Sequence, residues 1–417
     1  MENSVSIDLA AEAAQHGPPA GEASRTDMHS RWPVYEADEI EAVAEVLRSG
    51  RVNSLHHGDR CRLFEERFAA LCAMPFAIAL ANGTLALELA LRALEIGPGD
   101  EVIVTCRSFV ASASCVRTCG AVPVFADVDP NSQNVTAATI AAALTARTRA
   151  VILVHLGGWP CAMDEIMALA RAHHLKVIED CAQAHGATFK GAPVGSFGDA
   201  AAFSFCTDKI ISTGGEGGML LLRDRAVWAR AWSYKDHGKD WEALAQPGDG
   251  TAFRWLHASI GSNYRMTEMQ AAIGLCQMEK LADRILQRRR NAALLDRILE
   301  GLAALRLTRP SASVGHAYYK YYAFVRPERL ASDWSRDRIL KEAARLGVPC
   351  GAGICPEIYL EKAFAAESDA VPPRPRLPVA RALGQASIMF PVDPTLSPAA
   401  VQNMGLILKT ILLEAES

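Results

Sequence analysis

The chain has 417 residues, of which 50% are hydrophobic and 22% are charged, and it carries a net charge of −4 at pH 7. These values are typical of a folded enzyme with a large core, and they exclude an intrinsically disordered protein. The slightly acidic balance also excludes a global basic field that would recruit nucleic acid or an anionic membrane surface. No apolar run approaches the ~18 residues that a membrane-spanning helix needs.

The eleven cysteines are scattered along the chain. They form no CxxC pair and no Cys/His spacing of the zinc-binding type, so no metal site is expected. Their number is odd, and the N-terminus shows no signal-peptide pattern. Reduced thiols in the cytoplasm are therefore the predicted state and location.

The first part of the chain is predicted to be a tail. Residues 1–30 are rich in Ala, Gly, Ser and Pro, which predicts a flexible N-terminal tail without catalytic residues. The folded part is expected to start near Trp32. Apolar residues at helical spacing predict a helix over Glu36–Arg48, ending at Gly50, and a second helix over Asp59–Cys72.

From residue 76 onward, short apolar runs alternate with Ala-rich helical segments, which indicates a mainly parallel sheet covered on both faces. The expected strands are Glu101–Thr105, Pro123–Val128, Ala150–His155, Lys176–Asp180, Ala200–Phe205 and Gly218–Leu222. The expected helices are Gly83–Leu94, Ser108–Cys119, Thr136–Ala146 and Asp164–His173. Since a parallel crossover needs about a dozen residues or more, the short connection between the last two strands predicts one antiparallel strand near the end of the sheet.

The C-terminal part is expected to form a smaller unit after a long helical stretch that starts at Thr267 and runs to about residue 302. Its predicted elements are strands Tyr318–Val325 and Ser387–Pro391, helices Ser335–Leu346 and Pro398–Leu413, and an exposed Pro-rich loop over 366–378. The predicted organisation is a tail (1–30), a large domain (31–266), a connecting helix (267–302) and a small domain (303–417).

Ligands of open parallel α/β sheets bind at the carboxyl ends of the strands, and a set of polar and aromatic residues falls there. The set is Asn82, Gly83, Thr84, Phe109, Asp180, Ser204 and Lys209. Together these residues meet the needs of pyridoxal phosphate, which requires an amine for an imine, an anion at the ring nitrogen, a planar group against the ring and a phosphate cup. Pyridoxal phosphate is therefore the predicted cofactor.

Two of these residues would carry the chemistry. Asp180 would keep the pyridine nitrogen protonated, because a nearby opposite charge favours the charged form. Lys209 would form the imine and, once freed, move the proton of the reacting carbon. Taken singly, each also has an ordinary interpretation, since a lysine before a Gly-rich loop is often a surface residue and an aspartate at a strand end is often a turn residue.

The other residues would hold the cofactor. Gly83 and Thr84 open a helix, whose free N–H groups and positive dipole end suit a phosphate, and Ser204 would add a hydroxyl. Phe109 would stack on the ring. Taken alone, Asn82-Gly83-Thr84 is also an ordinary helix start and Phe109 an ordinary core residue. The order and spacing of the whole set favour the cofactor.

Six ordered motifs extend this pattern. They are Ala81-Asn-Gly-Thr-Leu-Ala-Leu87, Gly97-Pro-Gly-Asp-Glu-Val-Ile103, Glu179-Asp-Cys-Ala-Gln-Ala-His-Gly186, Phe203-Ser-Phe-Cys-Thr-Asp-Lys209, Gly214-Gly-Glu-Gly-Gly218, and Gly261-Ser-Asn-Tyr-Arg-Met266 with Gln270-Ala-Ala-Ile-Gly274. With these motifs the chain resembles the DegT/DnrJ/EryC1/StrS family of sugar aminotransferases over about residues 32–415. The resemblance implies the α/β fold of fold-type I pyridoxal enzymes: a mainly parallel, mixed sheet of seven strands flanked by helices, and a smaller C-terminal α/β domain.

The resemblance also implies roles for matched positions. Lys209 is similar to the imine lysine and Asp180 to the partner of the pyridine nitrogen, while Gly83, Thr84 and Ser204 fall on phosphate contacts. Gln183 matches a contact near the phenolic oxygen of the ring. His185 matches a histidine that orients the aspartate, and its alternative is a buried histidine satisfied by backbone. Asn263 matches an asparagine that reaches the phosphate from the neighbouring subunit, which implies a homodimer with shared sites.

The implied reaction is amino transfer from glutamate, or else glutamine, to a keto group of a nucleotide-linked deoxysugar, in polysaccharide, O-antigen or glycoside biosynthesis. The alternatives are an aminotransferase for a free keto-cyclitol and a non-catalytic regulator that binds the cofactor. A sugar dehydratase of the same family would carry His in place of Lys209, so that branch is disfavoured. No appended basic DNA-binding helix supports a regulator.

Substrate recognition is expected where the sequence departs from the family pattern. Cys355-Pro-Glu-Ile-Tyr359 and Gly157-Gly-Trp-Pro160 replace more usual turns, and His237 is a further candidate or a surface residue. The run His316-Ala-Tyr-Tyr-Lys-Tyr-Tyr322 suits stacking around a sugar or base, or else is an amphipathic strand. Candidates for an arginine that clamps a carboxylate are few in the C-terminal unit: Arg326, Arg329, Arg374 and Arg376.

Overall fold

Seven strands form the main sheet of the computed structural model, which describes residues 27–54, 58–246, 253–365 and 375–416. The strands are β1 (Phe76–Leu80), β2 (Glu101–Thr105), β3 (Val122–Ala126), β4 (Thr148–Val154), β5 (Lys176–Asp180), β8 (Ala200–Ser204) and β9 (Gly218–Leu222). Their order is β1-β9-β8-β5-β4-β2-β3. All pairings are parallel except those of β9, which is antiparallel to β8 and β1. The predicted single antiparallel strand and the α/β class are confirmed.

Helices cover both faces of this sheet. They are α1 (Ala37–Ser49), α2 (Arg60–Leu71), α3 (Gly83–Ala93), α4 (Ala111–Thr118), α5 (Ala137–Ala141), α6 (Met163–Ala172), α7 (Arg225–Lys235) and α8 (Trp241–Ala245). Alternate residues of one strand enter different cores: Ile78 and Leu80 pack into one hydrophobic cluster, and Ala77 and Ala79 into another. Because both faces are buried, the central residues of these strands are apolar on both faces.

One predicted helix is much shorter than expected. The segment expected to be helical over Thr136–Ala146 is helical only over Ala137–Ala141. The N–H of Thr145 donates to the hydroxyl of Thr148 at 2.9 Å, so the chain forms a turn there instead of continuing the helical ladder.

The long helical stretch after Thr267 is two helices, α9 (Glu268–Glu279) and α10 (Leu281–Leu299). The Thr267 and Gln270 side chains form a reciprocal capping box at its start. At Lys280 the N–H bonds to the carbonyl of Met278 rather than to one four residues back, and this interrupts the ladder. The prediction of one continuous helix is therefore wrong at Lys280.

A second sheet of three antiparallel strands follows in the order β10-β12-β13. Its strands are β10 (Leu305–Leu307), β12 (Tyr321–Val325) and β13 (Ser387–Phe390), with helices α11 (Arg336–Arg345), α12 (Lys362–Ala365), α13 (Pro378–Ala386) and α14 (Pro398–Ala415) around it. A small sheet joins β6 (Thr188–Phe189), β7 (Ala192–Pro193) and β11 (Val314–Gly315). Strand β12 starts at Tyr321 and not at Tyr318, because Tyr318 has a left-handed φ of 48°.

Several predicted segments fall at the limits of the described chain. Residues 1–26 of the predicted tail and 366–374 of the predicted loop lie outside the described residues. Within the described part, Met28 already packs against the C-terminal core, and helix α13 begins at Pro378. The division of the chain into domains at residues 266 and 302 stays a prediction. None of the described helices has the length and apolar character needed to cross a bilayer.

Candidate active site

A cavity of about 860 Å³ lies at the carboxyl ends of β1, β2, β5 and β8, between the two sheets. This is the edge of the main sheet where parallel strands collect ligands. Of the nine residues predicted for the site, seven line this cavity: Gly83, Thr84, Phe109, Asp180, Gln183, Ser204 and Lys209. His185 and Asn263 do not line it.

Asp180 is the last residue of β5 and is buried. Its carboxylate accepts hydrogen bonds from the Oγ of Ser112 at 2.8 Å and from the N–H of Ala182 at 3.1 Å. Burial raises the pKa of Asp180 above its usual value, although both hydrogen bonds act in the opposite direction. A cationic group placed beside this carboxylate would therefore restore its charged form.

Ser112 is a site residue that the sequence interpretation missed. It is buried in helix α4, and its hydroxyl also contacts that of Ser108 at 3.0 Å. The available signal was the spacing of the two serines, four residues apart at the start of the predicted helix 108–119, which places them on one face.

Lys209 lies in the loop after β8. Its carbonyl accepts a hydrogen bond from the indole of Trp32 at 2.8 Å, which ties this loop to the N-terminal segment. The Nζ atom lies 3.3 Å from the hydroxyl of Tyr319 and 3.4 Å from a carboxylate oxygen of Asp208. The lysine side chain is only 17% exposed, so its amine points into the cavity rather than into bulk solvent.

Asp208 and Tyr319 complete a triangle with Lys209, because the Tyr319 hydroxyl donates to the Asp208 carboxylate. Burial disfavours the charged form of Asp208, but the charge of Lys209 and the hydrogen bond from Tyr319 outweigh it and lower the pKa of Asp208. Burial raises the pKa of Tyr319, and so does the neighbouring carboxylate, so the phenol stays protonated. Neither residue was predicted as a partner of Lys209.

The start of helix α3 and the end of β8 approach each other closely at Gly83. A Cβ atom on Gly83 would lie 2.7 Å from the Cβ of Ser204, so a side chain there would collide with the neighbouring strand. Asn82 caps helix α3 by accepting from the N–H of Leu85 at 2.9 Å. The start of α3 at Gly83 and Thr84 and the hydroxyl of Ser204 thus lie together at one end of the cavity. They form a set of donors that suits a phosphate.

Phe109 and Gln183, the two residues predicted to contact the cofactor ring, line the cavity together with Asp180. Phe109 is 62% exposed and lines the cavity, so it is not a core residue. The carboxamide oxygen of Gln183 accepts from the N–H of Gly157 at 2.7 Å. Gly157 has a left-handed φ of 65° and belongs to the turn that departs from the family pattern. That turn therefore orients Gln183.

His185, which the resemblance matched to a histidine that orients the aspartate, is not among the hydrogen-bond partners of Asp180 in the described chain. Its side chain packs beside the rings of Phe203 and Phe205, with centroid distances of 5.3 and 5.6 Å. Neither ring nitrogen has a hydrogen-bond partner in the described chain. Burial lowers the pKa of His185 to about 3, which keeps the ring neutral. In this structure Ser112, and not His185, contacts the Asp180 carboxylate.

Asn263 and His237 lie on the surface of the single chain, away from the cavity lining. The segments that carry them are joined by a bridge between Asp236 and Asn263. Neither residue reaches Lys209 within one chain. An active-site role for Asn263 therefore requires a second chain.

The aromatic run before and in β12 is divided between two environments. Tyr319, Lys320 and Tyr322 line the cavity. His316 and Tyr318 instead stack on each other at 3.8 Å. Tyr321 lies in the C-terminal core and donates to Asp296 at 2.7 Å. Only three members of the run are therefore available to a ligand.

No arginine of the described residues lines this cavity, whose cationic side chains are Lys209 and Lys320. Of the predicted carboxylate clamps, Arg376 is paired with Glu357, Arg326 and Arg329 lie outside the lining, and Arg374 lies outside the described residues. Gly353 and Ile354, which precede the unusual Cys355–Tyr359 segment, do line the cavity.

The residues present fit the predicted cofactor. A buried carboxylate whose pKa is raised, and which makes no ion pair within the described chain, suits a protonated ring nitrogen, and the glycine-walled helix start suits a phosphate. Lys209 offers an amine between these two features. The same cavity has room for a substrate beside the cofactor.

Comparison with known proteins agrees with this geometry. The profile of the DegT/DnrJ/EryC1/StrS aminotransferase family matches residues 33–409. GDP-perosamine synthase of Caulobacter vibrioides is 37% identical over 91% of this chain and 97% of its own length. The L-glutamine:2-deoxy-scyllo-inosose aminotransferase of Streptomyces paromomycinus is 39% identical over 75% of this chain and 73% of its own.

A crystal structure of an aminotransferase from Psychrobacter cryohalolentis superposes on this chain with a TM-score of 0.90 and 47% identity, covering 93% of this chain and 99% of that one. The chain belongs to the DegT/DnrJ/EryC1/StrS aminotransferase family and is a pyridoxal-phosphate-dependent sugar aminotransferase.

Proposed function

We propose that the chain transfers an amino group from glutamate, or else glutamine, to a keto group of a nucleotide-linked deoxysugar. The observation that carries this proposal is the cavity lining, in which no described arginine is available to clamp a small keto acid. The C. vibrioides relative, whose name states a GDP-linked aminosugar product, supports a nucleotide sugar. Such a product would serve polysaccharide, O-antigen or glycoside biosynthesis.

In this proposal Lys209 and Asp180 are the catalytic residues. Pyridoxal phosphate, when bound, withdraws electrons from the carbon that loses its proton. Lys209 would carry the cofactor covalently and, when released from it, hold and deliver that proton from Nζ. Asp180 would keep a positive charge on the ring nitrogen, since a charged partner restores the carboxylate that burial disfavours. Ser112 would orient that carboxylate.

The remaining predicted residues would position the cofactor. Gly83, Thr84 and Ser204 would donate to the phosphate from the start of α3 and the end of β8. Phe109 would lie against one face of the ring. Gln183 would present its amide nitrogen to the ring oxygen, because its carboxamide oxygen already binds the N–H of Gly157.

We also propose a homodimer in which Asn263 of one chain completes the site of the other. The exposed position of Asn263, outside the cavity of its own chain, supports this assignment. Large exposed apolar side chains close to it in sequence suit burial against a second copy. They are Phe253 (76% exposed), Trp255 (90%) and Ile260 (91%). We also propose that the reaction takes place in the cytoplasm, because a reducing compartment would keep the eleven free cysteines reduced.

The second candidate function is amination of a free keto-cyclitol, favoured by the 39% identity to the S. paromomycinus relative, whose name states such an acceptor and glutamine as donor. One experiment separates the two. Purified enzyme is incubated with glutamate or glutamine labelled with ¹⁵N at the α-amino group, which is the nitrogen that a transaminase transfers, and with a panel of keto-deoxysugar nucleotides and keto-cyclitols. Labelled aminosugar nucleotide supports the proposal, whereas transfer to the cyclitol alone selects the alternative.

A further inference from the structure

Besides the cofactor for which the site is built, Lys209 has a second set of binding partners. Its Nζ donates to the hydroxyl of Tyr319 at 3.3 Å and lies 3.4 Å from the carboxylate of Asp208, and Tyr319 donates in turn to Asp208. Tyr319 is 7% exposed, so the phenol is fixed by packing, while Asp208 keeps about half of its side chain accessible. The three groups form a closed hydrogen-bonded triangle.

The charged groups around the triangle indicate which carboxylate can exchange a proton with Lys209. Among the described residues, the other titratable or charged groups around it are Asp180 from β5, His185 after β5, Glu216, Lys320, Tyr322 from β12 and Arg288 from α10. His185 is neutral, and Asp180 is in contact with Ser112. Lys320 and Arg288 are cations, and their side chains cannot accept a proton. Asp208 is thus the carboxylate in direct contact with the amine of Lys209.

We propose that Tyr319 and Asp208 are positioning residues that hold the amine of Lys209 whenever it is not bonded to the cofactor, and that Tyr319 passes a proton between Lys209 and Asp208. The inference rests on the proposed role of Lys209. In the step, an N–H bond of the Lys209 ammonium breaks and its proton bonds to the Tyr319 oxygen. The Tyr319 hydroxyl proton moves to an Asp208 oxygen, which leaves a neutral amine, and the reverse shift restores the ammonium.

This arrangement gives the amine of Lys209 a place to rest when it is not bonded to the cofactor. There Nζ donates to Tyr319 and lies 3.4 Å from the Asp208 carboxylate. Attack on the cofactor needs the neutral amine. The tyrosine hydroxyl can both accept from Lys209 and donate to Asp208, so the proton moves without bulk water. The ring of Tyr319 also lies 4.9 Å from Nζ and restricts the path of the amine.

The chain offers a matched control for the tyrosine. Tyr321, two residues away, also donates to a carboxylate, Asp296, but lies in the C-terminal core and not in the cavity. Tyr319→Phe and Tyr321→Phe therefore remove the same kind of bond at different places. We expect Tyr319→Phe to lower kcat by about 10²-fold, in the range for a proton-transfer group, with KM changed less than about twofold. Tyr321→Phe should leave kcat near the wild-type value even where it lowers Tm.

A second readout does not depend on turnover. Cofactor is removed from the full-length enzyme, and its reattachment to Lys209 is followed by the return of visible absorbance as a function of pH. Asp208→Asn should lower the attachment rate by about 10²-fold, because its amide cannot take the proton that Tyr319 passes on from Lys209. Asp208→Glu should restore the wild-type rate. Lys209→Ala should not attach cofactor, which tests the proposed function separately.

The outcomes are distinct. Equal kcat values for Tyr319→Phe and Tyr321→Phe, or an unchanged attachment rate in Asp208→Asn, would overturn the holding site while leaving Lys209 as the cofactor lysine. Attachment that persists in Lys209→Ala would overturn the role of Lys209 itself. Loss of kcat in Tyr319→Phe together with slower attachment in Asp208→Asn and its rescue by Asp208→Glu supports the inference.

Discussion

The Ser112 hydroxyl donates a hydrogen bond to the Asp180 carboxylate at 2.8 Å, and this is the only hydrogen bond that the carboxylate accepts from a side chain in the described chain. A hydrogen bond to a charged group contributes ~1.5–3 kcal/mol. Ser112→Ala should therefore weaken retention of the cofactor by about tenfold or more, measured from visible absorbance after dialysis. Ser108→Ala is the control, since Ser108 contacts Ser112 but not Asp180. Wild-type retention by Ser112→Ala would show that the bond does not support the site.

Retention of the cofactor should weaken as the pH falls through the raised pKa of Asp180. Only the ionised carboxylate pairs with a protonated ring nitrogen, and a raised pKa means that this form is lost at a higher pH than for an ordinary aspartate. His185 stays neutral over the same range, because burial lowers its pKa to about 3.

Asp180→Asn tests this assignment. The variant should lose the pH-dependent step and ~10²–10³ in kcat, the usual loss for a pre-organised electrostatic group. The phosphate contacts should still retain some cofactor. A variant with the same acid-range dependence as wild type would place the titrating group elsewhere.

Much of the site could be predicted from the sequence, for a physical reason. In a parallel sheet every strand ends at the same edge, so Asp180, Ser204 and Asn82 converge once the strands are located. The positions of the apolar runs in the sequence locate these strands, because strands that are buried on both faces are near-continuous apolar runs.

What the sequence did not reveal depends on contacts between distant segments. Tyr319 meets Lys209 across 110 residues, and no local pattern encodes that pairing. Ser112 reaches Asp180 only because α4 packs beside the end of β5. His185 was matched by position alone, and its side chain packs against the rings of Phe203 and Phe205. Side-chain direction in a loop is set by such packing and not by local sequence.

If Asn263 serves the partner's site, activity should be recoverable by mixing subunits. Asn263→Ala should weaken cofactor retention without lowering Tm, because its side chain is exposed in the single chain. Where that variant is severely impaired, mixing it with inactive Lys209→Ala subunits should restore activity in the sites that receive both intact residues. A fully active monomer, by sedimentation with a parallel assay, would contradict shared sites.

The acceptor preference should follow the cavity lining. Enzyme preloaded with amino groups by glutamate should regain its original visible spectrum much faster with a keto-deoxysugar nucleotide than with oxaloacetate or pyruvate, because no described arginine lines the cavity. 2-Oxoglutarate should also react, as the reverse of donor use. Rapid reaction with pyruvate or oxaloacetate and none with any ketosugar nucleotide would indicate an amino-acid aminotransferase.

The most direct measurement concerns Lys209, since two lysines line the cavity, Lys209 and Lys320. Borohydride reduction of the enzyme with bound cofactor fixes the cofactor to its lysine, and mass spectrometry of the digested chain locates it. We predict the added mass on Lys209 alone, with no labelling and no turnover in Lys209→Ala or in Lys209→Arg, whose guanidinium stays protonated. Labelling of Lys320, or wild-type turnover by either variant, would contradict the account.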